Sequence, residues 1–193
     1  WGTAWDVRQN TFDSIRTSTV TNTNPLVTGS GNYLSATIEG AALGTLWQQY
    51  SQKRQYTNFG SLDITKVHQI SFLYRLDNYV TASGQASIFD VNSITQAVPM
   101  TTTTTWAIQT WGASATDVWR LSQGDGIDVG SGGTAFRIAN PLESSVNIFL
   151  GDVYQFDITV DPQNNRYQAT ITNLDYATNN RSTGTASYSS AWL

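Results

Sequence analysis

Few residues in this chain could carry out covalent chemistry. It holds one histidine, His68, two glutamates, Glu39 and Glu143, and no cysteine. Glycoside hydrolysis ordinarily needs two carboxyl groups flanking the scissile bond. Asp90, in Ile88-Phe89-Asp90-Val91, shares the face of Ile88; it reads as a cleft carboxylate or as a strand-end residue bonded to a loop. A lyase would neutralise a uronate with Arg or an amide and move protons with Tyr or His. His68 has the parity of Ile70, Phe72 and Tyr74, which puts it at the edge of a core. No Gly-x-Ser-x-Gly elbow surrounds a serine. One His without Cys makes a poor zinc site. The glycines at 124, 126, 130, 132 and 133 lack the Lys and helix of a phosphate loop. Calcium is the more credible ion. Asp125 and Asp128 lie among glycines whose carbonyls could complete an oxygen shell, although a solvated Gly/Asp turn reads equally well. No cofactor is required.

The aromatic residues offer the clearer signal, because indole and phenol faces stack on the C–H faces of sugars and anchor interfaces. Trp47, Trp111 and Trp119 are candidate platforms, or else rings packed under loops. Arg120 and Arg137 could donate to glycan hydroxyls or to an anionic glycan, or simply lie along the surface. The ends Trp1-Gly2-Thr3-Ala4-Trp5 and Ala191-Trp192-Leu193 are candidate interface strands, with Trp1, Trp5 and Trp192 as contacts; the alternative is ordinary edge strands.

What must position these groups is a set of strands. Ile70, Phe72, Tyr74 and Leu76 alternate with polar neighbours. Tyr154, Phe156, Ile158 and Val160 alternate with Gln155, Asp157 and Thr159. After Asp161-Pro162-Gln163-Asn164-Asn165, Tyr167, Ala169 and Ile171 alternate with Gln168, Thr170 and Thr172. This is the period of an antiparallel hairpin with one buried and one wet face. Further strands are predicted over 12–20, 33–38, 85–91, 105–111, 118–121, 134–138 and 186–192. Near residues 41–56, Leu43, Leu46, Trp47 and Tyr50 fall at helical spacing, so a short helix or a long loop is expected there. No repeat or linker divides the chain, so residues 1–193 are expected to form one domain. Many short strands with frequent turns imply an all-β sandwich or barrel.

Composition narrows the setting. Charged residues make up 12% of the 193-residue chain, about half the usual share, and the net charge is −4. Only Gln52-Lys53-Arg54-Gln55 is locally basic, which argues against nucleic acid as a partner. No apolar run is long enough for a membrane span. The absence of cysteine and a Thr/Ser/Asn-rich surface suit a secreted or cell-surface protein, most plausibly bacterial. The opening at Trp1 shows no leader-like pattern, so any signal peptide is expected to have been removed.

Phe59-Gly60-Ser61-Leu62-Asp63-Ile64-Thr65, leading into Ile70-Ser71-Phe72-Leu73-Tyr74-Arg75-Leu76-Asp77, resembles bacterial concanavalin A-like (laminin-G-like) domains, in which a turn feeds a central strand. The segment from Gly151 to Asp161, followed by Arg166 to Ile171, resembles the hairpin that closes many of them. The resemblance implies a two-sheet antiparallel jelly-roll sandwich, an architecture shared by lectins, glycanases, lyases and structural domains. Ile38-Glu39-Gly40 and Leu142-Glu143-Ser144 do not match the aromatic strand motifs of small jelly-roll xylanases, and the Glu-x-Asp-x-Glu of laminarinase-type sandwiches is absent. Neither the Gln-Ile-His order nor the Tyr-x-Lys-x-Gly strand of alginate lyases is present. The expected function is therefore non-catalytic extracellular recognition, with a polysaccharide or glycan as partner. Two alternatives remain: a self-associating structural or adhesive subunit (filament, sheath, fibre or coat), and a polysaccharide-cleaving hydrolase or lyase.

Overall fold

A computed structural model describes residues 6–9, 15–29, 31–39, 50–53, 63, 65–78, 86–91, 106–110, 117–123, 127–129, 136–138, 142–164 and 166–193. In chain order the strands are β1 (Asp6–Gln9), β2 (Ile15–Thr21), β3 (Tyr33–Glu39), β4 (Tyr50–Lys53), β5 (His68–Arg75), β6 (Ala86–Val91), β7 (Trp106–Thr110), β8 (Val118–Gln123), β9 (Ile127–Val129), β10 (Phe136–Ile138), β11 (Leu142–Asn147), β12 (Val153–Asp161), β13 (Arg166–Asn173) and β14 (Ser187–Ser189). A 3-10 turn, Pro162–Asn164, leads from β12 towards β13. Every pairing between described strands is antiparallel.

The chain divides into two compact units, Trp1–Asp63 and Ile64–Leu193. In the first, β1 pairs with β4 and β2 with β3, the latter in unbroken register from Ile15 opposite Glu39 to Thr21 opposite Tyr33. The helical spacing ending at Tyr50 suggests a short helix or a long loop near 41–56, but Tyr50–Lys53 is a strand paired residue by residue with Asp6–Gln9, so the ladder overrides local propensity. Leu43, Leu46 and Trp47 lie outside the described residues.

The second unit contains two four-stranded sheets, in the orders β11-β8-β7-β6 and β14-β13-β12-β5, and a separate β9–β10 pair. Alternation decides which side chains turn inward. Tyr154, Phe156 and Ile158 from β12, with Tyr167, Ala169 and Ile171 from β13, are buried, and Ile70, Phe72 and Tyr74 from β5 pack against them. They share one core with Ile108 of β7, Trp119 and Leu121 of β8, and Val146 and Ile148 from β11 and just beyond it. The Trp119 indole meets Tyr74, Tyr154 and Phe156 edge to face, at ring centroids 5.9, 5.4 and 5.0 Å apart, so the sheets pack face to face around this ring. The arrangement is sandwich-like. The hairpin read from period-two alternation forms with its whole register, from Tyr154 opposite Asn173 to Asp161 opposite Arg166.

Candidate functional site

The strands of the second sheet present a solvent-facing side opposite to the core, and their registers line its polar groups up in rows. Ser71 of β5 is level with Asp157 of β12, Asp157 with Thr170 of β13, and Thr170 with Ser189 of β14. Ser71 Oγ donates to Asp157 Oδ1 at 2.6 Å, and Thr170 Oγ1 and Ser189 Oγ share a hydrogen bond of 2.8 Å. In the adjacent row Gln155 faces Thr172, which shares a 3.0 Å hydroxyl bond with Ser187. Gln155 Nε2 reaches back to Asp157 Oδ2 at 2.8 Å. Solvent reaches Ser71 and Gln69 at one edge of the sheet and Ser187 and Ser189 at the other, while the central residues are half-buried.

One end of this face carries an aromatic ring. Leu193 exchanges backbone hydrogen bonds with Tyr167 and packs against the core, while Trp192, one residue earlier, remains 39% exposed. The Arg166 guanidinium lies 4.3 Å from the centre of the Trp192 ring, within cation–π range. Arg166 is held in turn by Asp161 Oδ2 at 2.9 Å. Hydrogen bonds from the Asn164 amide, helped by those from Arg166, hold the Asp161 carboxyl below its ordinary value despite the opposing effect of burial. Asp157 and Asp161 are four residues apart on β12, about 13 Å along an extended strand. Carboxyl pairs that cleave glycosidic bonds stand roughly 5–9.5 Å apart. These two lie beyond that span, and Asp161 is already engaged.

The other large polar cluster is structural. Asp152 is fully buried, and Arg181 grips both of its oxygens, at 2.7 and 3.1 Å. Asn173 and Asn179 donate to it at 2.8 and 2.7 Å. Burial pushes this carboxyl up, but the hydrogen bonds of Arg181, Asn173 and Asn179 and the Arg181 charge outweigh it and hold the group below its ordinary 3.8. Its hydrogen-bonding capacity goes to pinning residues 173–181 to the start of β12, not to a ligand.

Several residues singled out from sequence fall elsewhere. Trp119 is 1% exposed at the centre of the core, because Val118 and Arg120 have the opposite parity; an indole enclosed by three aromatic rings has no face left for a sugar. Arg120 makes two contacts with Glu143 Oε1 across β8 and β11, at 3.0 and 2.9 Å, which ties up one of the two glutamates as well. Arg137 and Asp128 hold facing positions in the β9–β10 pair, so Asp128 belongs to a strand and not to an open glycine turn. Among the described residues no group of three or more His, Asp or Glu side chains could hold a metal ion. Trp1, Trp5, Trp47, Trp111 and Asp125 lie outside the described residues. Trp192 follows a C-terminal edge strand paired within its own sheet. His68 stands at the start of β5 opposite Val160, partly exposed, where its parity put it. The row Ser71–Asp157–Thr170–Ser189 is not legible in the sequence. Alternation marks such residues only as the wet side of a strand, whereas their convergence comes from the pairing of β5 and β14 with a distant hairpin.

Fold and face together describe a mostly-β, antiparallel, sandwich-like chain with a hydroxyl- and amide-rich sheet surface. Searches against protein-family models, curated proteins and solved structures find no match for it. Among the described residues no helix is long and apolar enough to cross a membrane.

Proposed function

We propose that this chain is a non-catalytic carbohydrate-recognition domain of concanavalin A-like, jelly-roll type, working outside the cell or on its surface, and that a glycan lies along the polar face of the second sheet. Two four-stranded antiparallel sheets around one core support the fold reading. The observation that carries the functional reading is Trp192, a half-exposed indole braced by Arg166 at the end of rows of hydroxyl and amide groups. Such a surface pairs a stacking plate with short-range donors and acceptors, the combination that recognises a polyhydroxylated ring. The wide separation of Asp157 and Asp161 favours holding a glycan over cleaving it.

Affinity electrophoresis of the intact chain against a polysaccharide panel tests this. At least one polysaccharide should retard it, and Trp192→Ala should weaken that retardation about tenfold, the effect of truncating an anchoring Trp worth roughly 1.4 kcal/mol. Trp192→Phe should recover part of it. Migration indifferent to every polysaccharide would sink the reading. Release of reducing ends, or of unsaturated uronate products, would replace it with the cleaving alternative.

A further inference from the structure

The hydrogen bonds around Asp157 go further and identify the kind of glycan. We propose that the face takes a neutral glycan, and that Asp157 reads it by accepting hydroxyl protons from two adjacent carbons of one sugar ring. This rests on the glycan-binding reading above.

A carboxylate offers about four acceptor sites over two oxygens. In this molecule Ser71 Oγ supplies one proton to Oδ1 and Gln155 Nε2 supplies one to Oδ2. The two donors, from neighbouring strands and from the same strand, fix the plane of the carboxyl group and leave each oxygen able to accept once more. Two acceptors on one planar group match a vicinal diol, as charge-assisted bonds to paired donors do elsewhere. Among the described residues the partners of Asp157 are a hydroxyl and an amide, not a cation. Arg166, the nearby cation at the end of the face, is neutralised by Asp161. Thr170, Ser189, Thr172 and Ser187 add hydroxyls that can both donate and accept. A uronate or sulfate, although its ring keeps hydroxyls, would bring a like charge towards Asp157, on a chain of net charge −4. A neutral ring brings hydroxyl donors without that charge.

The test compares the intact chain on unsubstituted β-glucan, xylan and mannan with alginate, polygalacturonate and a sulfated galactan. Retardation by a neutral polysaccharide, little changed by added salt, is expected, with none by the anionic set. Asp157→Asn exchanges one acceptor oxygen for a donor and should weaken the neutral interaction about tenfold or more while unfolding at the wild-type temperature. Gln155→Ala, which frees the carboxyl group to rotate, should weaken it less. Preference for the anionic polysaccharides, or undiminished binding by Asp157→Asn, overturns this inference and leaves glycan recognition standing. Failure of every polysaccharide to retard the chain removes both.

Discussion

Asp152 shows at the level of a single residue how a charge can be buried without being available for chemistry. Its two oxygens receive four hydrogen bonds from Arg181, Asn173 and Asn179, and Arg181 lies over the Phe149 ring at 4.4 Å. Removing one partner of a buried pair strands the other, at a cost of about 3–5 kcal/mol. Asp152→Ala should therefore lower the urea midpoint by that equivalent, and Asp152→Ala/Arg181→Met should recover part of it, because the stranded guanidinium is gone. The pH dependence has a definite sign. The folded carboxyl titrates below its ordinary 3.8, so the unfolded chain binds the proton more readily. The stability from this pair is complete above 3.8 and is lost as pH falls through the lower folded value. Urea midpoints followed from pH 6 down to pH 2 should fall in wild type more steeply than in Asp152→Ala; parallel curves would contradict the assignment. Trp119 makes the complementary point. Its residue type suggests a ligand platform or a ring under a loop, whereas its inward parity on β8 places it in the core.

At the scale of elements, an irregular segment can be firmly fastened. Residues 174–184 run between β13 and β14 as successive turns held by Asp175, whose Oδ2 accepts from Val153 N, and by Tyr176, whose hydroxyl donates to the Gly184 carbonyl. Gly184 sits at φ +73° against β11, where an added Cβ would meet the Ser145 carbonyl at 2.6 Å and collide with Asn147 Oδ1. Gly151 has a similar φ of +82°, with nothing within 4 Å. Gly151→Ala should thus cost only the left-handed backbone penalty, about 1–2 kcal/mol, and Gly184→Ala that plus overpacking, roughly 2–5 kcal/mol in all. Equal losses in paired thermal denaturation would show that the loop does not press on β11. Which elements were legible follows from the same physics. The β12–β13 hairpin was readable because burial alternates along the whole of β13 and through the middle of β12, from Tyr154 to Thr159. β11 was not: Ser144 and Asn147 are buried polar residues, and Val146 and Asn147 are buried in succession, which breaks the period. β4 carries helix formers but answers to its partner β1, a pairing that no local pattern in Tyr50–Lys53 reveals.

At the scale of the whole molecule, contacts gather into two compact units, Trp1–Asp63 and Ile64–Leu193. Every buried hydrophobic residue of the described core, from Ile108 to Ile171, belongs to the second unit, as do Ile70, Phe72, Tyr74 and Leu76 packed against it. Both four-stranded sheets, the Asp152–Arg181 clamp and the Asp157–Trp192 face lie there too. A segment that owns its core and its own buried ion pair has what autonomous folding requires. Residues 64–193 expressed alone should therefore unfold in urea as one cooperative transition, with far- and near-ultraviolet circular dichroism coincident. Trp119, locked between Tyr74, Tyr154 and Phe156, contributes to the near-ultraviolet signal beside Trp106, Trp111 and Trp192, so a Trp119→Phe difference spectrum that survives in the fragment shows that the two sheets still close on each other. The fragment should also keep whatever glycan retardation the intact chain shows, to within about twofold, since the proposed face draws on no residue before Gln69. A broad, non-cooperative transition would mean that residues 1–63 complete the core. A cooperative fragment that no longer binds would mean that they complete the ligand site.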